Sequence, residues 1–99
     1  MAEQTLRIIA GEYRGRKLAF QAAEGLRPTS DRIRETLFNW LQPVITGARC
    51  LDMFAGSGLL GIEALSRGAT EVVFIEKQLQ ACAQLQENID RLQLQHATM

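Results

Sequence analysis

The sequence predicts an α/β fold: a parallel β-α-β-α unit of Rossmann type, preceded by a β-hairpin and a helix. Three observations predict it. "ARCLDMF" and "TEVVFIE" are short, continuously apolar runs of the kind buried on both faces of a parallel sheet. Each is followed by a helical pattern, and a strand–helix–strand passage within one sheet takes a right-handed crossover. Between the first run and its helix lies the glycine-rich turn "FAGSGLLG", at the carboxyl end of a strand, where such folds hold ligands.

The elements follow in order. "TLRIIAG" and "RKLAF" flank "EYRGR" and read as a β-hairpin, with Gly11 and Gly15 supplying turn conformations. "QAAEGLRPTS" is a loop in which Pro28 holds Arg27 extended, and Thr29, Ser30 and Asp31 are competent helix N-caps. "DRIRETLFNWLQPVI" is a helix whose apolar face is Ile33, Leu37, Trp40, Leu41 and Val44, with Arg32, Glu35, Asn39 and Gln42 mainly opposite. Pro43 should end or kink it at Gln42, and Gly47 is a plausible stop. After the first buried strand and the glycine turn, a helix over 59–67 closes at Gly68. After the second strand, "QLQACAQLQENIDRLQ" is a helix with Leu79, Cys82, Ala83, Leu85, Ile89 and Leu92 as its stripe, and "HATM" can open a third strand. This divides the chain into an appendage, 1–47, and the first half of a ligand-binding domain, 48–99.

Bulk properties bound the function. The 99 residues suffice for one small domain, and an apolar fraction of 46% belongs to a globular chain. No apolar run is long enough to span a bilayer, and "MAEQTLRIIAGEYRG" lacks the basic and apolar regions of a secretory signal. Cys50 and Cys82 lie far apart and read as reduced thiols, in keeping with a cytoplasmic location. No metal-ligand spacing is present. The formal net charge of zero hides an asymmetry: residues 1–34 carry seven bases (Arg7, Arg14, Arg16, Lys17, Arg27, Arg32, Arg34) against four acids. A basic leading segment can meet phosphate, although the same excess also suits an ordinary solvated face.

Gly56, Gly58 and Gly61 satisfy G-x-G-x-x-G between a strand and a helix, and Glu76 follows Gly56 by twenty residues at the end of the next strand. Such an acid accepts hydrogen bonds from ribose hydroxyls. The pattern fits NAD and S-adenosylmethionine (SAM), since both carry adenosine. Asp52 helps separate them. A carboxylate beside the turn repels a pyrophosphate by about 1–4 kcal/mol at about 4 Å, depending on the effective dielectric. SAM presents a sulfonium and an ammonium there instead. A turn or helix cap for Asp52, and an exposed strand-end acid for Glu76, are the plainer readings.

"LDMFAGSGLLGIEALSRGA" resembles motif I of class I SAM-dependent methyltransferases. Together with "RIIAGEYRGRKL", "GLRPTSDRIRETLFNWL" and the "IE" that ends the second strand, it resembles the RsmD family, from about Leu6 to Leu92. The most distinctive part is R-P-T-x-D-R-x-R-E-x-L-F-N-W-L. The resemblance implies a Rossmann-like class I SAM-dependent methyltransferase fold, here its N-terminal half. It implies methylation of the exocyclic N2 of a guanine in 16S ribosomal RNA, within an assembling small subunit. Asp52, Ala55, Gly56, Ser57 and Gly58 would line the methionyl and ribose side of the cofactor, with Glu76 on the ribose. The Thr29–Arg34 stretch would close over the cofactor or orient the target base. Arg14, Arg16 and Lys17, with Arg32 and Arg34, would contact RNA.

The family's amine-positioning motif, (N/D)-P-P-(F/Y), has no counterpart among these 99 residues, whose only prolines are Pro28 and Pro43. Methyl transfer depends on positioning donor against acceptor, so the isolated chain is expected to be inactive. It is also expected to expose "RCLDMF" as a sheet edge that invites self-association. A DNA amino-methyltransferase half-domain, an NAD-dependent oxidoreductase half-domain and a non-catalytic nucleotide- or RNA-binding module are the competing readings.

Overall fold

The computed structural model describes residues 3–21, 31–52, 58–94 and 96–98. Strands β1 (Glu3–Arg7) and β2 (Lys17–Gln21) pair antiparallel as the expected hairpin, with Leu6 opposite Leu18. The connection between them is longer than a tight turn. Ile8 remains paired to it through its N–H to the Arg16 carbonyl (2.9 Å) and its carbonyl to the Gly15 N–H (2.8 Å).

Helix α1 (Asp31–Ile45) departs from the sequence reading in two ways. It runs through Pro43, which lies close enough to the C-terminal end that little of the helix ladder is lost. Its buried face is Arg34, Phe38 and Ile45, with Leu37 and Leu41 half-buried, whereas Ile33, Trp40 and Val44 are 62%, 76% and 65% exposed. The face that meets the core is thus rotated by about one residue, or about 100°, from the purely apolar stripe. A buried arginine causes the rotation.

The three-stranded sheet has the order β3-β4-β5 and is parallel throughout. It comprises β3 (Arg49–Asp52), β4 (Glu71–Phe74) and β5 (Ala97–Thr98), so the third strand foreseen in "HATM" forms beside β4. Helix α2 (Leu59–Ser66) connects β3 to β4, and α3 (Leu79–Leu92) connects β4 to β5. The α2 terminus is a Schellman motif: the Gly68 N–H donates to the Leu65 carbonyl (3.1 Å) and the Ala69 N–H to the Ala64 carbonyl (3.0 Å).

One apolar core joins both parts of the chain. Ile8 and Leu18 of the hairpin region and Phe38 and Ile45 of α1 cluster with Ile62, Val72, Phe74, Leu85, Ile89 and Leu92. Asn88 of α3, fully buried, accepts from the Ala19 N–H (3.2 Å) and donates to the Ala19 carbonyl (2.9 Å), which fastens β2 to α3. Among the described residues no helix is long and apolar enough to cross a membrane.

Candidate functional site

Parallel pairing brings the two candidate acids to the same end of the sheet. Asp52 is the last residue of β3, opposite Phe74, and its carbonyl accepts the Ile75 N–H at 2.8 Å. Glu76 stands one residue beyond Ile75. It is half-buried; its Oε2 accepts the Gln78 N–H (3.0 Å) and its carbonyl accepts the Cys82 thiol (3.0 Å). Beside it Phe74, Ile75, Cys82 and Leu85 line an open cleft of about 340 Å³. An apolar cleft with a carboxylate at its rim suits a planar heterocycle joined to a sugar: the walls take the ring, the acid takes hydroxyls.

Gly58 stands against Leu85, one of the residues lining this cleft. Gly58 has φ +89°, and a Cβ there would fall 2.2 Å from Leu85 Cδ1, so both its backbone conformation and the approach of α3 require glycine. The N–H of Ile62 donates to the Gly58 carbonyl at 2.8 Å and opens α2. Thr29, Ala55, Gly56 and Ser57 lie outside the described residues. Among the described residues no group of three His, Cys, Asp or Glu side chains could hold a metal ion.

Of the five basic residues assigned to RNA, Arg14, Arg16, Lys17 and Arg32 are exposed, the first three together on the hairpin. Arg34 is a correction: it is completely buried, donating from Nη2 to the Arg7 carbonyl (2.8 Å), with Nη1 3.6 Å from Glu63 Oε1. A cation held inside the core by a carboxylate cannot meet an RNA phosphate.

The sequence reading passed over Glu63 and Ser66. Both are buried, one helical turn apart on α2. Glu63 Oε1 accepts the Ile9 N–H (2.9 Å), while Oε2 accepts the Ala10 N–H (3.1 Å) and Arg67 Nε (2.8 Å). Ser66 Oγ donates to the Ala10 carbonyl (2.6 Å) and accepts the Tyr13 N–H (2.9 Å), and its carbonyl accepts the Glu12 N–H (2.8 Å). Arg67 also lies over the Phe38 ring, 5.1 Å from its centroid. A signal existed: "LLGIEALS" is apolar on nearly every side, which marks a helix buried all round, and a carboxylate in such a helix needs partners.

Comparisons with known proteins give the family and the fold. A family described as conserved hypothetical protein 95 matches residues 6–99. Ribosomal RNA small subunit methyltransferase D of Haemophilus influenzae is 56% identical over 92% of this chain and 47% of its own length. The protein of the same name from Escherichia coli K12 is 55% identical over 93% of this chain and 46% of its own. The chain therefore spans about half the length of the curated relatives it matches. The solved structure of yhhF from Escherichia coli superposes with a TM-score of 0.85 at 49% identity, covering 95% of this chain and 50% of that one. A Thermus thermophilus 16S rRNA N2 G1207 methyltransferase, solved with AdoMet and guanosine, superposes with a TM-score of 0.64 at 25% identity, covering 98% of this chain and 26% of that one. The fold is that of class I methyltransferases.

Proposed function

The chain belongs to the RsmD family of ribosomal RNA small subunit methyltransferases, and on that footing we propose that it is the SAM-binding portion of an enzyme methylating the exocyclic N2 of a guanine in 16S ribosomal RNA. The observation that carries this reading is the apolar cleft with Glu76 at its rim, two of whose lining residues have neighbours from the motif: Leu85 packs close to the left-handed Gly58 and Phe74 pairs with Asp52. Phe74, Ile75 and Leu85 would pack against the adenine, Glu76 would accept the ribose hydroxyls, and Asp52 would face the cationic methionyl end. Ala55, Gly56 and Ser57, with Thr29, complete the proposed cofactor set. When bound, SAM supplies an electrophilic methyl group. The chain's own contribution is to fix its donor in place, with the exposed Arg14, Arg16, Lys17 and Arg32 meeting RNA phosphates. The setting is cytoplasmic, on an assembling small subunit. Residues 1–47 form the RNA- and cofactor-facing appendage and 48–99 the first half of the SAM domain.

With Pro28 and Pro43 as its only prolines, the chain holds no (N/D)-P-P-(F/Y) motif to align the acceptor amine. It is therefore inactive by itself in this reading. Calorimetry with SAM and with NAD tests the cofactor. SAM should bind and NAD should not, and Asp52→Ala should weaken SAM binding. NAD binding, or indifference of SAM to Asp52→Ala, overturns the assignment. Incubation with labelled SAM and 16S ribosomal RNA should label nothing, and turnover by the isolated chain would refute its proposed inactivity.

The β3 edge points to self-association. Among the described residues only β4 pairs with β3, and Leu51 on it is 58% exposed. A second copy pairing along this edge would cover it. Sedimentation should show a concentration-dependent dimer that Leu51→Lys shifts to monomer. A monomer at every concentration would count against the pairing.

A further inference from the structure

We propose that Glu63 and Ser66 are positioning residues for RNA: they form a clamp on α2 that presets the basic hairpin turn, and they act on RNA affinity without acting on SAM affinity. The proposal rests on the reading above that Arg14, Arg16 and Lys17 meet RNA.

The geometry is specific. Five hydrogen bonds run from α2 to residues 9–13: the Ile9 and Ala10 N–H groups on Glu63, the Ala10 carbonyl and Tyr13 N–H on Ser66 Oγ, and the Glu12 N–H on the Ser66 carbonyl. Backbone meets backbone so closely at this point that a Cβ on Gly11 would fall 1.9 Å from the Ser66 oxygen. The clamped segment leads directly into Arg14, Arg16 and Lys17, all exposed. Arg14 and Arg16 stand in the turn that follows, where their N–H groups donate to the Gly11 (3.2 Å) and Tyr13 (3.0 Å) carbonyls, and Lys17 opens β2, so α2 sets the base from which that turn departs. Glu63 also pairs with Arg67, on its own helix, and with Arg34 of α1, which itself donates to the Arg7 carbonyl. One buried carboxylate thus ties β1, α1 and α2 together.

Two independent fastenings separate the clamp from the cofactor cleft. The cleft is lined by the end of β4, the two residues that follow it, and Cys82 and Leu85 of α3. The clamp uses the C-terminal half of α2 and residues 9–13 of the hairpin connection. Releasing the clamp leaves the charges on the hairpin but unsets them, so RNA binding must then supply the ordering of the loop. Pre-ordering of this kind contributes affinity without adding contacts.

The test uses the 99-residue chain with Glu63→Gln and, separately, Ser66→Ala, the milder change should the first fail to fold. Filter binding to 16S ribosomal RNA and calorimetry with SAM are measured on parent and variants, with thermal unfolding alongside. In folded variants the RNA Kd should rise about tenfold, the range that lost pre-ordering produces, while the SAM Kd stays within about twofold. Amide exchange at Ile9, Ala10 and Tyr13 should accelerate. Equal RNA affinity in parent and variants overturns the clamp's role. Parallel loss of RNA and SAM affinity, tracking the unfolding temperature, also overturns it, because a purely structural role predicts that. If the parent shows no salt-dependent RNA binding, the RNA reading of the hairpin fails, and this inference fails with it.

Discussion

Replacing Glu76 with alanine should weaken SAM binding by about 30- to 150-fold, the equivalent of about 2–3 kcal/mol for hydrogen bonds to a charged acceptor. The expectation follows from the position of the side chain. β4 ends at Phe74, and the next two residues carry the chain past the rim of the cleft, where Glu76 stands beside Phe74, Ile75, Cys82 and Leu85. The apolar walls offer contact area but no orientation, so the carboxylate is the group able to select a ribose. It accepts the exposed Gln78 N–H at 3.0 Å, and losing that bond returns the N–H to water at a cost of about 1 kcal/mol or less. The loss of SAM affinity is expected to exceed the cost of that exposed bond. Calorimetry with SAM and thermal unfolding on Glu76→Ala and the parent provide the check. Unchanged SAM affinity would reduce Glu76 to a strand-end acid that caps its own loop.

The second large effect concerns stability. Gly61→Ala places a methyl group in the middle of an α-helix, which by propensity alone should stabilise by about 0.8–1.0 kcal/mol. We expect the opposite sign. A Cβ at Gly61 would lie 2.2 Å from Phe74 Cε1, 2.7 Å from Phe74 Cζ and 2.9 Å from Val72 Cγ1. Phe74 is 1% exposed and Val72 fully buried, so the added methyl group must displace packed side chains. Overpacking of this kind costs about 1–3 kcal/mol, and occasionally more, which outweighs the gain in propensity. Gly61→Val adds two further carbons and a stiff χ1, and should cost about 3 kcal/mol or more, a large share of a small domain's total of about 5–15. Urea denaturation of the two variants gives the ranking. An alanine variant more stable than the parent would show that α2 does not need this approach to β4. Because Phe74 also lines the cleft, a displaced ring should be felt as weaker SAM binding too.

Much of this architecture was legible from residues alone, and the failures have a common cause. The apolar runs that became β3 and β4, the helix that opens after Gly58 and the strand in "HATM" all stand where periodicity and turn chemistry put them. Helix α1 was correctly located but wrongly oriented. The apolar stripe puts Ile33, Trp40 and Val44 inward, and the family resemblance assigns Arg34 to RNA. In the structure Arg34 is buried and those three are exposed. The partner that makes burial of Arg34 tolerable is Glu63, far along the chain, and no local pattern announces that pairing. Asn88 repeats the lesson. It interrupts the apolar stripe of α3, yet it is fully buried because the Ala19 backbone presents a donor and an acceptor to it.

The sequence by itself determined the order of elements, the parallel sheet, and the placing of Asp52, Gly58 and Glu76 at one end of it. Apolar periodicity, glycine conformation and strand length are local properties, and in a parallel sheet they suffice to align strand ends. Only the tertiary structure decided which face of α1 is inside, that Arg34 serves the core rather than RNA, and that Glu63 and Ser66 hold the hairpin. Those outcomes depend on polar groups from distant segments meeting away from water. A buried charge is tolerable only where its partners converge, and that convergence is a property of the folded chain.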